Sequence, residues 1–138
     1  MTRFLGLDPG AVRCGVAITD SSATMAFPRR ALKNDDALLS SLRALIDEEH
    51  VGAVIVGRPV ALSGNETSST KQADALYHEL VGAFGEIPVI QWDERLTTYE
   101  AQRSLSQAGL KAKEQRDHVD SAAAVIMLQN YVDGHHAL

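Results

Sequence analysis

Residues 53–57 read AVIVG, a run without a polar side chain that follows a segment of helical periodicity and ends at a loop. A short continuous apolar run of this kind is what a strand shows when both faces of its sheet are covered. Its presence calls for helices on both sides of a central sheet.

The rest of the chain supplies the partners. Segment 3–8 (RFLGLD) reads as a short strand, and 14–19 (CGVAIT) as an alternating second strand after a turn at Pro9-Gly10. Segment 25–32 (MAFPRRAL) reads as a third, and Pro28, which has no N–H, places it at a sheet edge. Asp35-Asp36 precede a helix whose Leu38, Leu42, Leu45 and Ile46 share a face. After the loop at 58–65 (RPVALSGN), Ala73, Leu76, Leu80 and Phe84 mark a second helix. PVIQW (88–92) is another buried strand, running directly into DERLTT. Thr97 and Glu100 have capping-box spacing, so a further helix starts near Tyr99. A polar, basic stretch at 109–116 (GLKAKEQR) then separates it from a last helix near 117–133. The order β-β-β-α-β-α-β-α-α predicts an α/β fold, a mixed five-stranded sheet with helices on both faces. At 138 residues, a single domain over 1–138 is expected.

Composition narrows the function classes. The net charge of −5 argues against coating nucleic acid through bulk charge, although a local basic rim remains compatible with it. One cysteine, Cys14, rules out an intrachain disulfide and a CxxC metal site. No apolar run approaches the ~20 residues that cross a bilayer, so no membrane partner is expected. The first residues lack the pattern of a secretion signal, which makes the cytoplasm the expected compartment.

The chemistry-bearing residues are carboxylates at strand and helix ends. FLGLDPG (4–10) finishes an apolar strand on Asp8, although an isolated buried carboxylate is costly to desolvate. Asp93 and Glu94 end the last strand, and Asp117 and Asp120 lie three apart near the start of the last helix. Ligands of α/β sheets gather at the carboxyl ends of strands. If the last helix approaches those ends, three or four carboxylates converge and raise one another's pKa. A divalent cation relieves that repulsion, and an all-oxygen set suits Mg²⁺ or Mn²⁺. Two such ions roughly 4 Å apart activate a water and stabilise the leaving oxygen of a phosphodiester. Each position also has a plain structural reading. Asp before Pro-Gly is a common turn residue, and Asp117 and Asp120 complement a helix dipole.

Four blocks carry a family resemblance: LGLDPGAVRCGVAITD (5–20), VIVGRP (54–59), DERLTTYEA (93–101) and VDSAAAVIMLQNY (119–131). Together they resemble the YqgF/RuvX family, within the RNase H-like superfamily that includes the RuvC resolvases. The resemblance implies an RNase H-like fold and a cytoplasmic, divalent-metal-dependent nuclease acting on Holliday junctions or pre-16S rRNA. It implies Asp8, Glu94 and Asp120 as catalytic residues and metal ligands. Asp93 remains the alternative to Glu94, and Asp117 is a weaker match. The sequence departs from the family in its fourth strand, where AVIVG lacks the Glu of RuvC-type enzymes. Arg58 also stands where the loop commonly has an apolar residue.

Arg13, Arg58, Lys71, Arg95, Lys111, Lys113 and Arg116 fall in or near loops at the same end and are candidates for holding phosphates. The alternative for Lys111–Arg116 is a solvated connector. A homodimer is expected if junctions are the substrate, because one centre per chain cannot make paired cuts. Two other classes compete: an ATP-handling protein, disfavoured by the single lobe, and a non-catalytic nucleic-acid-binding module, which has no need of the acids.

Overall fold

In the computed structural model, residues 2–59, 63, 65–93 and 112–136 are described, with 112–120 and 135–136 described as backbone alone. Eight elements follow in chain order: β1 (Arg3–Pro9), β2 (Arg13–Thr19), β3 (Ala26–Lys33), α1 (Leu38–Glu49), β4 (Val51–Arg58), α2 (Ser68–Ala83), β5 (Val89–Asp93) and α3 (Ala112–His136). The strands form one sheet in the order β3-β2-β1-β4-β5. The β1–β2 and β2–β3 pairs are antiparallel, whereas β1–β4 and β4–β5 are parallel. The expected mixed five-stranded sheet is therefore present, and β3 with Pro28 is an edge.

Strand alternation sorts the core into two layers. Leu5, Leu7, Cys14, Val16, Ile18, Val54 and Val56 pack beneath Leu38, Leu42 and Ile46 of α1 and Leu76, Leu80 and Phe84 of α2. On the opposite face Ala17 and Ile55 meet Ala124, Val125, Met127, Leu128 and Val132 of α3. The AVIVG segment feeds both layers, which is why it carries no polar position.

Three helix ends show how their polar residues are used. Asp35 does not cap α1; its Oδ1 accepts from Ala37 N at 3.0 Å, and no side chain caps the helix at Ala37. The carboxylate is spent on the preceding turn, in the Asx geometry that competes with capping. α2 opens on a reciprocal box between Thr67 and Thr70, and the Thr70 hydroxyl also donates to the Pro59 carbonyl, fastening the exit of β4 to α2. α3 begins at Ala112, so part of the 109–116 stretch expected as a connector is helical. Lys, Glu, Gln and Arg are good helix formers despite their polarity. The helix expected near Tyr99 lies outside the described residues.

Candidate metal centre and nucleic-acid interface

Leu5 and Leu7 of β1 point into the α1/α2 layer, so Phe4, Gly6 and Asp8 face α3. The contacts follow that pattern. The Phe4 ring meets the Tyr131 ring edge-on at 6.0 Å, and Gly6 lies against Leu128 and Met127. Moving along β1 toward its carboxyl end therefore moves along α3 toward its N-terminus. One further step of two strand residues, about 6.6 Å, spans four to five helical residues at about 1.5 Å each. That step sets Asp8 alongside Ala124 and the turn that begins at position 120.

A second observation fixes the same region. The buried Ser121 hydroxyl accepts from Val16 N at 3.0 Å and donates to the Arg29 carbonyl at 2.6 Å. Val16 pairs with Leu7 of β1, and Gly15 beside it pairs with Asp8. The residue after position 120 is thus fastened to the sheet one register step from the partner of Asp8. Because α3 starts at Ala112, Asp117 and Asp120 are its sixth and ninth residues. The dipole field falls off within the first turn, so complementing it gives these acids no reason to be there. Their side chains lie outside the described residues.

The last strand separates its two acids by face. Trp92 packs in the α3 layer with its ring 5.5 Å from that of Tyr131, whereas Gln91 donates to Asp74 of α2 at 2.8 Å. Alternation places Asp93 with Gln91, on the face opposite Asp8. Glu94, Arg95 and Lys111 lie outside the described residues.

The basic candidates divide. Arg58 is held by Asp74, through Nε at 2.9 Å and Nη2 at 3.2 Å, and by Glu66 at 2.8 Å. Its guanidinium clasps the end of β4 to α2, and the bond from Arg58 holds the Asp74 carboxyl below its ordinary range. Arg13 is exposed at the start of β2, directly across from Lys33 of β3. Two like charges directly opposite one another in a ladder are unfavourable by themselves. Lys33 was not among the sequence candidates, and only the hairpin register brings it there. Lys71 is exposed on α2, and Lys113 and Arg116 lie in the first turns of α3.

Cys14 packs on the face of the sheet opposite the one to which Asp8 is assigned. Its thiol faces the α1/α2 layer, and burial first, then the Asp8 charge, push it up to about 12. The candidate acids are all carboxylates, a hard-oxygen set fitted to Mg²⁺ or Mn²⁺. Among the described residues no three Asp, Glu, His or Cys side chains gather as a metal group, and of the candidate acids only Asp8 and Asp93 have described side chains.

A family model described as "RuvX: Holliday junction resolvase" matches residues 2–134. The chain belongs to the RuvX family. A RuvX relative from Anaeromyxobacter sp. (strain Fw109-5), named "Putative pre-16S rRNA nuclease", is 40% identical over 137 residues, covering 98% of this chain and 99% of its own. A relative of the same name from Mycobacterium tuberculosis (strain ATCC 25177 / H37Ra) is 44% identical over 133 residues, covering 95% of this chain and 78% of its own. Among solved structures, T. thermophilus RuvC in complex with Holliday junction substrate superposes with a TM-score of 0.65 at 18% identity, covering 99% of this chain and 97% of that one. Fowlpox virus resolvase with Holliday junction DNA gives 0.57 at 13% identity, covering 97% and 99%. At such identities the likeness concerns the fold, and this RuvX chain has the RNase H-like fold of the RuvC resolvases.

Proposed function

We propose that this RuvX chain is a divalent-metal-dependent nuclease that hydrolyses phosphodiester bonds. It acts as a single cytoplasmic domain over residues 1–138. The observation that supports the reading is the course of α3, which lies against Gly6 of β1 through Leu128 and Met127 and is tied to Val16 of β2 through Ser121, so that the Asp8 end of β1 runs toward the turn of α3 that starts at position 120. A carboxylate on a strand end facing a helix that carries another is what a shared cation requires.

Asp8, Glu94 and Asp120 hold Mg²⁺ or Mn²⁺, which when bound supplies an activated water and stabilises the leaving oxygen. Asp93 lies with Gln91 on the face opposite Asp8, which favours Glu94 as the third ligand, with Asp117 on α3 as a further candidate. Arg13, with Lys33 opposite, grips phosphates beside the centre, and Lys113, Arg116, Lys111 and Arg95 extend that rim. Arg58 shapes the loop after β4 through its carboxylate partners. The name borne by the relatives in Anaeromyxobacter and M. tuberculosis supports precursor 16S rRNA as the substrate to try first. Branched DNA is the second reading, supported by the junction-bound neighbours of the same fold, and it calls for a homodimer.

The test is cleavage of labelled precursor 16S rRNA and of four-way-junction DNA in Mn²⁺, Mg²⁺ or EDTA, with Asp8→Asn alongside. Metal-dependent cleavage that Asp8→Asn loses while keeping its fold is the expected result. Wild-type-like cleavage by that variant overturns the reading. Binding of either substrate without cleavage in Mn²⁺ replaces the nuclease with a binding module.

A further inference from the structure

The Ser121 hydroxyl bridges β2 and β3 at one position of their ladder. It takes the Val16 amide and gives to the Arg29 carbonyl, and Val16 and Arg29 are register partners. The ladder is irregular just there, with a shift between Cys14 and Val16. A helix side chain is thus built into the sheet at its bulge, and bulges commonly re-aim side chains beside active sites. Ser121, Thr19 and Thr70 are the buried polar residues of the described chain, and of these Ser121 alone belongs to α3.

We infer that Ser121 is a positioning residue, whose bridge to the bulged β2–β3 ladder sets the place of Asp120 relative to Asp8. The inference rests on the reading of those two acids as ligands of one metal centre. Apolar contacts between α3 and the sheet tolerate small slides, because they lack direction. Two hydrogen bonds to backbone atoms do not, since they weaken steeply away from their preferred geometry. The bridge sits next to position 120 in sequence and one register step from the partner of Asp8, where a slide matters most. Partners that orient metal ligands without touching the metal typically contribute 10–100-fold to affinity or activity.

A second bridge on the same helix provides the control. Gln129 accepts from Ala26 N at 2.9 Å through Oε1, and its Nε2 donates to the Thr24 carbonyl at 3.0 Å. It too ties α3 to β3, but two turns further from Asp120.

The experiment measures Mn²⁺ binding by calorimetry on the full chain, with melting temperature alongside, for Ser121→Ala, Ser121→Cys, Gln129→Ala and Asp120→Asn. Ser121→Ala is expected to weaken Mn²⁺ by roughly 10-fold or more while remaining folded. Ser121→Cys, nearly the same size with a weaker donor, falls between it and the unmodified chain, and decides the matter if the alanine variant does not fold. Gln129→Ala leaves Mn²⁺ affinity near that of the unmodified chain. Equal weakening by the Ser121 and Gln129 variants, or none by either Ser121 variant while Asp120→Asn loses Mn²⁺, overturns the positioning role and leaves the nuclease reading standing. Undiminished Mn²⁺ binding by Asp120→Asn removes the metal centre itself, and the positioning role with it.

Discussion

Gly6 of β1 and Leu128 of α3 touch so closely that a Cβ on Gly6 would lie 2.9 Å from the Leu128 Cβ. Met127 Cε would stand 3.3 Å away on the same side. The helix can approach the first strand only because that strand has no side chain there. Gly6→Ala is therefore expected to destabilise the chain by about 1–3 kcal/mol, the usual cost of overpacking a tight core. Urea unfolding with a lowered midpoint and unchanged slope checks it. Since Gly6 lies between Phe4 and Asp8 on the face toward α3, cleavage should fall further than the folded fraction does.

Asp93, at the end of β5, lies on the face opposite Asp8, and its sequence neighbour Glu94 is the proposed ligand. Glu94→Gln is expected to lower the cleavage rate by roughly 100-fold or more, the loss of several kcal/mol of charge stabilisation. Asp93→Asn should leave the rate close to that of the unmodified enzyme. Rates at saturating Mn²⁺ for the two variants decide between the faces, and the reverse order would assign Asp93 to the Asp8 side.

Arg58 and Asp74 give a pH signature. The Arg58 bond lowers the Asp74 pKa, so the stabilisation is present above the ordinary carboxylate value and is lost as pH falls through the lowered one. Melting temperatures of the unmodified chain and Arg58→Ala should differ most near neutral pH and converge in acid. Both groups are solvent-facing, so the gap should also shrink in high salt.

Cys14 runs the other way. Its folded pKa of about 12 lies above the ordinary 9.0, so the stabilisation is complete below pH 9 and is lost as pH climbs toward 12. Thiol reagents at pH 8 should label the chain only after unfolding in urea. Asp8→Asn removes one cause of the elevation, and thiolate absorbance in an alkaline titration should then appear at lower pH.

Most of the fold was legible because its strands and first two helices carry their period openly. AVIVG, the alternation of 14–19, and Leu38–Leu42–Ile46 each have one burial pattern available. The start of α3 was not, because KAKEQR has no apolar residue larger than Ala112 and reads equally as a solvated loop or an exposed helical turn. The Thr67–Thr70 box was passed over for a related reason, since a threonine at the fourth position replaces the usual Glu or Gln. Among the candidate site residues, Asp8 stood out in the sequence because it lies at the end of an apolar strand. Ser121 looked like one more small residue in SAAA, and its role depends on a hydrogen bond spanning 105 residues. Arg58 showed its charge but not its partners, because Glu66 and Asp74 come together with it only when α2 folds back along β4.

The bonds that fasten α3 to β2 and β3 close loops of 105 and 103 residues, from Val16 to Ser121 and from Ala26 to Gln129. Contacts of such long range form late, since the entropy of closing the loop precedes their reward. During synthesis, at about 5–20 residues per second, the opening hairpin emerges seconds before its covering helix exists. Until then the strand end bearing Asp8 has no facing acid from α3. If Asp8 and Asp120 share the proposed metal centre, a nascent chain holds only half of it, and the centre is completed once the last helix has been delivered.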